Sequence, residues 1–147
     1  MKIIDLEPGD PRLATEILPV LRELRPHLTE DLFREVYAEG HDQGLRFTAA
    51  YAEDGCCVGV AGWRIMVGTS ALRQLYVDDL VTAEAARSTG VGHHLLASLE
   101  ERARESGCYE LRLDSGTRRT DAHRFYLRER LDITAFHFTK ELKGSAG

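Results

Sequence analysis

The sequence predicts one α/β domain, and three observations carry that prediction. A strand-like run, Leu75-Tyr76-Val77-Asp78-Asp79-Leu80-Val81, crosses a glycine loop into a long amphipathic helix. A tight Asp54-Gly55 turn joins two further strand-like runs into a hairpin. Helical stripes alternate with these strands along 147 residues, with no repeat, low-complexity block or linker to mark a second domain. Residues 1–147 are therefore expected to form one domain with a substantial core.

The elements follow in order. Met1 to Glu7 reads as a first strand ended by Pro8-Gly9. Asp10 is expected to cap a helix with Pro11 at its first position and Leu13, Ile17, Val20, Leu21 and Leu24 as the apolar stripe. Thr29 caps a second helix, Glu30 to Ala38, with Leu32, Phe33 and Val36 inward and Gly40 as its stop. Leu45 to Ala52 and Cys56 to Val67 are the hairpin strands; Gly59 and Gly62 within the second suggest a bulge or a close backbone approach. After the long helix, closed by Gly107, Tyr109 to Asp114 alternates as a short strand. Asp121 is expected to cap a helix from Ala122 to Arg130, Ile133 to Leu142 reads as a last strand, and Lys143 to Gly147 as a frayed tail.

Composition narrows the function classes. A net charge of −5 argues against nucleic acid or an anionic membrane as main partner. No apolar run of transmembrane length and no signal peptide is present. Cys56, Cys57 and Cys108 lack any metal-binding or redox spacing and read as reduced, partly buried cytosolic thiols. No metal site is expected; adjacent His93 and His94 diverge by about 100° on a helix and seldom share one ion. Cytoplasmic residence is the expectation.

The informative stretch runs from Leu72 to Gly107. Glycines at the mouth of its helix let a ligand approach backbone N–H groups that lack intrahelical partners, and Arg87 adds a full charge to the dipole's partial one. That combination suits phosphate or pyrophosphate. The dinucleotide fingerprint fails because Leu95 stands where its third glycine belongs, and the P-loop fails because no Gly-Lys-Ser/Thr follows.

What remains, Arg87-Ser88-Thr89-Gly90-Val91-Gly92, resembles the acyl-coenzyme A pyrophosphate loop of the GNAT N-acetyltransferase family. Asp121-Ala122-His123-Arg124-Phe125-Tyr126-Leu127-Arg128-Glu129, with Phe138 to Leu142, looks especially like the aminoalkylphosphonate N-acetyltransferases of that family. The resemblance implies a mixed, mostly antiparallel central sheet with a splayed strand pair and flanking helices. It implies an acetyl-CoA-dependent N-acetyltransferase that moves acetyl to a small primary amine by direct attack in a ternary complex, releasing coenzyme A. A non-catalytic acyl-CoA-binding module is an alternative, as is acetylation of a protein or RNA amine.

Acetyl transfer makes three demands. The cofactor's pyrophosphate would rest on N–H groups from Ser88 to His93 beside Arg87, and its peptide-like pantetheine would pair with the strand edge at Leu80, Val81 and Thr82. The amine must lose a proton, for which Asp79 is the first candidate, acting directly or through water, with Asp78 and Asp114 behind it. A structural carboxylate or a ligand for the substrate cation is the alternative role. Successive strand residues point to opposite faces, so Asp78 and Asp79 are expected on opposite sides of the sheet. The departing thiolate needs a proton donor, and Tyr126 matches the tyrosine of the family's A-x-x-F-Y helix. Arg25 and His27 lie where the family walls its acceptor pocket and suit an anionic group there. Two departures stand out: Ser88 and Arg130 occupy positions where the family prefers glycine. A homodimer is common in such folds.

Overall fold

The computed structural model describes residues 1–144. Strands β1 (Lys2–Leu6), β2 (Arg46–Tyr51), β3 (Cys57–Gly68), β4 (Leu72–Thr82) and β5 (Glu110–Leu113) pair in chain order into one sheet. The first four run antiparallel, β1 reaching β2 through the two N-terminal helices and β2, β3 and β4 following through short turns, whereas β5 lies parallel to β4. That parallel join follows from the crossover helix α3 (Val91–Glu105), which returns the chain to the other end of the sheet. The mixed, mostly antiparallel sheet is the architecture the family resemblance implied.

Helices cover both faces. On one, α1 (Leu18–Leu24) and α2 (Glu30–Asp42) pack Leu18, Leu21, Phe33 and Tyr37 against Leu6, Phe47 and Val60. Phe47 meets Tyr37 edge-on at 4.8 Å, and the Tyr37 hydroxyl donates to the Leu6 carbonyl at 2.6 Å, which satisfies its buried oxygen. On the other face, the expected stripe Val91, Leu95, Leu99, Ala103 of α3 packs on Ala50, Ala61, Leu75 and Val77. Gly59 permits that approach: a Cβ there would sit 2.7 Å from Val91 Cγ1 and 2.8 Å from Leu95 Cδ1.

Several expectations are corrected. A π-helical turn, Leu13–Ile17, precedes α1 in place of an Asp10-capped α-helix. Pro19 lacks the N–H that an α ladder needs, and the wider turn just before it still buries Leu13 and Ile17. Asp10 instead accepts from the Arg12 backbone and guanidinium. Gly40 does not stop α2; the helix runs to Asp42, and the reversal comes at Gly44, with φ +95°. Gly40 serves packing, since a Cβ would meet Leu45 Cδ2 at 2.8 Å. Val36 is 44% exposed, and Tyr37 takes the inward place. Helix α4 spans Thr120–Arg128, with Asp121 inside its first turn paired to Arg124 rather than capping.

The largest correction concerns Ile133 to Leu142. Among the described residues no strand forms there, and Ile133, Phe136, Phe138 and Leu142 hold their side chains in solvent. A β pattern fixes an extended chain but not a partner, and the adjacent strand β5 offers only four residues. Residues 145–147, part of the expected tail, lie outside the described residues.

Candidate functional site

Strands β4 and β5 form a fork. They pair only from Gln74 with Glu110 to Val77 with Leu113, while β4 continues to Thr82 against β3 alone. The fork opens at a β-bulge: Gly62 pairs with Asp79 and Trp63 with Val77, which leaves Asp78 as the extra residue. A bulge bends its strand and ends pairing, so the free edge from Asp78 to Thr82 starts where the bulge sits. Leu80, Val81 and Thr82 all lie along it.

The bulge also changes which residues face which way. Leu75 and Val77 belong to the α3 side, but Val81, of the same parity, packs on the α1–α2 side. Asp79 shares that second side with Phe47, because a Cβ at Gly62 would meet both Asp79 Oδ2 and Phe47 Cε1 at 2.9 Å. The expectation that Asp78 and Asp79 diverge across the sheet assumed unbroken alternation. Both carboxylates instead meet arginines. Arg25, at the C-cap of α1, donates through Nε to Asp79 Oδ1 at 2.8 Å and through Nη2 to the Asp78 carbonyl at 3.1 Å. Arg64 grips Asp78 with two bonds of 2.9 and 3.2 Å. Burial pushes the Asp79 carboxyl above the ordinary carboxylate range, and Arg25 offsets part of that rise. Asp114, past the end of β5, accepts from the Tyr76 hydroxyl and lies 3.3 Å from His137 Nδ1. His27 is exposed on the α1–α2 loop.

The other arm of the fork leads to the glycine loop. After a 3₁₀ turn, Glu84–Ala86, Ser88 adopts φ +65° and Gly90 φ +88°, and α3 starts at Val91. Ser88 thus takes the left-handed conformation glycine would have adopted freely. The N–H groups of Val91, Gly92 and His93 occupy the first helical turn, where no preceding carbonyl of the helix can accept them. Thr89 Oγ1 donates to the Ala86 carbonyl at 2.5 Å, and Glu23 holds the loop by accepting from Glu84 N and lying 3.7 Å from Arg87. His93 Nδ1 lies 2.5 Å from Glu129 Oε1, which ties α3 to the end of α4.

Helix α4 crosses the loop mouth. A Cβ at Gly92 would stand 3.1 Å from Phe125 Cζ and 3.6 Å from Thr82 Oγ1, so glycine gives α4, α3 and the β4 edge room to converge without displacing the Phe125 ring. Tyr126, half-buried beside Phe125, has its phenol pKa raised by burial, with Arg119 partly opposing. Arg130 carries φ +68°, the left-handed turn expected after this helix. His123 Nε2 lies 2.7 Å from the Gly116 carbonyl and pins the β5–α4 loop. In that loop the buried Ser115 Oγ has no hydrogen-bond partner among the described residues, two positions beyond the fork.

An unpaired strand edge, a glycine-mouthed helix and an orphaned hydroxyl together fit the pantetheine and pyrophosphate of coenzyme A. Sequence reading missed Arg64, Tyr76, Glu23 and Glu129. The hairpin register that sets Arg64 opposite Tyr76 depends on the bulge, and the two glutamates act across elements far apart in the chain. Among the described residues no helix is long and apolar enough to cross a membrane.

Comparison with known proteins agrees with this geometry. Residues 12–131 match the acetyltransferase (GNAT) family model. Over 66 residues, 45% of this chain and 43% of the relative, it is 42% identical to the aminoalkylphosphonate N-acetyltransferase of Salmonella typhimurium (strain LT2); the match thus spans less than half of that relative's length. It is 33% identical over 112 residues to the uncharacterized N-acetyltransferase YhdJ of Bacillus subtilis (strain 168), which covers 76% of this chain and 78% of that one. The crystal structure of a Trypanosoma brucei acetyltransferase superposes with a TM-score of 0.76 at 22% identity, covering 96% of this chain and 99% of the other. With its forked sheet, glycine-mouthed helix and matched sequence, the chain belongs to the acetyltransferase (GNAT) family and is an acyltransferase of the N-acetyltransferase type.

Proposed function

We propose that residues 1–147 form one acetyl-CoA-dependent N-acetyltransferase domain acting on the primary amine of a small molecule, in the cytoplasm and as a homodimer. The observation that carries this reading is the bulge at Asp78. One irregularity frees the β4 edge from β5 and turns Asp79 toward Arg25, so a cofactor-binding edge and a candidate base adjoin in the chain.

Acetyl-CoA supplies an activated thioester; the chain supplies position and proton transfer. Leu80, Val81 and Thr82 present strand backbone to the peptide-like pantetheine, and Ser115 offers its free hydroxyl at the fork. Arg87 and the N–H groups of Ser88, Thr89, Gly90, Val91, Gly92 and His93 take the pyrophosphate. Asp79 accepts the proton of the acceptor ammonium, directly or through one water, and its raised pKa brings it nearer to working pH. A backbone N–H at Leu80 or Val81 stabilises charge on the carbonyl oxygen. Tyr126, protonated at neutral pH as any ordinary phenol is and held further from ionising by burial, donates to the departing sulfur.

Direct attack is the simplest route. The Cys57 thiol is pushed up to about 11 by burial, burial also raises Cys108, and Asp54 raises Cys56, so none is a ready thiolate nucleophile. Arg25 and His27 flank the acceptor end with Asp78 and Asp114, a mixed-charge wall suited to an amine that also bears an anionic group. The aminoalkylphosphonate acceptor in one relative's name has that character.

The test is a panel of amines, including aminoalkylphosphonates, amino acids, polyamines and aminoglycosides, with acetyl-CoA and a readout of free thiol. Release with at least one amine is expected. No release from any amine, joined to no thermal shift with coenzyme A, overturns the reading.

A further inference from the structure

We propose that Glu23 is a positioning residue for the cofactor loop, with two opposed effects on binding. Its hydrogen bond shapes the loop, and its charge holds Arg87 until phosphate takes that cation over. The proposal rests on the acetyltransferase reading. Glu23 and Arg25 stand two residues apart at the end of α1 and reach both arms of the site. Arg25 bonds Asp79 and the Asp78 carbonyl, whereas Glu23 turns to the loop that precedes α3. Burial of Leu18, Val20 and Leu21 fixes the helix that carries them, so the core itself braces the loop.

Two contacts at one oxygen act in opposite directions. The Glu23 Oε1 atom accepts from Glu84 N at 2.9 Å, which satisfies a donor at the start of the 3₁₀ turn Glu84–Ala86. The same atom lies 3.7 Å from Arg87 Nη2, beyond hydrogen-bond length, so the guanidinium is attracted without being bonded. The two side chains are 32% and 58% exposed; solvent screens the pair, and Arg87 leaves it at small cost. Carboxylate and phosphate oxygens are rival acceptors for one guanidinium. The hydrogen bond therefore favours cofactor binding by fixing the turn, and the charge opposes it by occupying Arg87. Arg87 exchanges Glu23 for phosphate on binding and returns to it on release, so Glu23 speeds the departure of coenzyme A.

Isothermal titration with coenzyme A separates the two contacts and needs no turnover. Glu23→Gln keeps an oxygen for Glu84 N and removes the charge; it is expected to tighten coenzyme A about two- to five-fold. Glu23→Ala removes both contacts and is expected to bind about two- to ten-fold more weakly than Glu23→Gln. In an Arg87→Gln background, Glu23→Gln is expected to change the affinity by less than about 1.5-fold, because the cation it competes for is gone. A residue that only stabilised the fold would weaken binding in both variants. No tightening in Glu23→Gln, an equal tightening without Arg87, or an alanine variant that matches glutamine overturns the proposal. No binding by the unchanged chain removes the acetyltransferase reading as well, whereas binding that Glu23→Gln leaves unaltered removes this proposal alone.

Discussion

Residues 1–103 and residues 104–144 are held together by different means. Buried side chains of the core run from Leu6 to Ala103, and no residue from 104 to 144 is buried to that degree. Yet the second region is not polar, since it carries Tyr109, Leu127, Ile133, Phe136, Phe138 and Leu142 in solvent. The proposed chemistry straddles this divide. Asp79 stands on a strand inside the packed region, its carboxylate held by Arg25, whereas Tyr126 stands on α4, which buries no side chain fully. The Asp79 side of the site is thus set by the packed core, and the Tyr126 side by a helix that lies half in solvent.

The contrast can be broken at its strongest point first. Asp79→Asn keeps the shape of the side chain and removes the base; kcat/KM should fall by about 10²–10⁴-fold, while coenzyme A still shifts the melting temperature. A change smaller than threefold would remove Asp79 from the chemistry. Core truncation comes next: Leu95→Ala should cost about 2–5 kcal/mol by urea unfolding, whereas Phe138→Ala, at an exposed side chain, should change stability by no more than about 0.5 kcal/mol. Equal losses would mean that the Phe138 side chain packs as a core residue does. Tyr126→Phe should lower kcat by about 10²-fold, with thiol release slowed and cofactor binding kept.

The pH profile sharpens the same comparison. Because burial raises the folded Asp79 pKa, the carboxylate protonates at higher pH than an exposed aspartate, and kcat/KM should fall there on the acid side. Arg25→Gln removes the cation that opposes this rise, so the acid limb should move to still higher pH. The linkage to stability has the matching sign: a raised carboxyl pKa favours the fold below its unfolded value and loses that contribution as pH rises through the folded one. The smallest expected effect is in the second region, where Arg130 pays for φ +68°. Arg130→Gly should gain about 1 kcal/mol and raise Tm by about 2–4 °C in differential scanning calorimetry.

Much of the fold was legible because its signals are local. The four-residue spacing of Val91, Leu95, Leu99 and Ala103 marks a helix wherever it packs, and all four are buried. Asp54-Gly55 makes its turn at Gly55, φ +88°, through its own backbone preference. Arg87 to Gly92 announces an anion-binding helix mouth because unpaired N–H groups follow from helix geometry alone. Gly59 and Gly62 flagged a bulge or a close approach, and each occurs: the register shifts at Gly62, and α3 packs on Gly59. Where Gly40 and Asp10 misled, a glycine kept for packing on Leu45 and an aspartate bound to Arg12 imitated a helix stop and a cap.

What the sequence by itself determined, then, is the order of elements from β1 to α4, the glycine loop and the identity of the chemical groups at hand. Only the tertiary structure decided where the strand alternation breaks. The bulge at Asp78 is a mismatch of register between β3 and β4; Gly62 marked a bulge from the β3 side, but which residue of β4 becomes the extra one is a property of the two strands together. The pairing of Arg25 with Asp79 depends in turn on that bulge, because it selects the face Asp79 presents to α1. The same reasoning applies to the arm from Ile133 to Leu142. Its side chains specify an extended, half-apolar strand, but which edge receives a strand is settled by surfaces that exist only once the chain has folded.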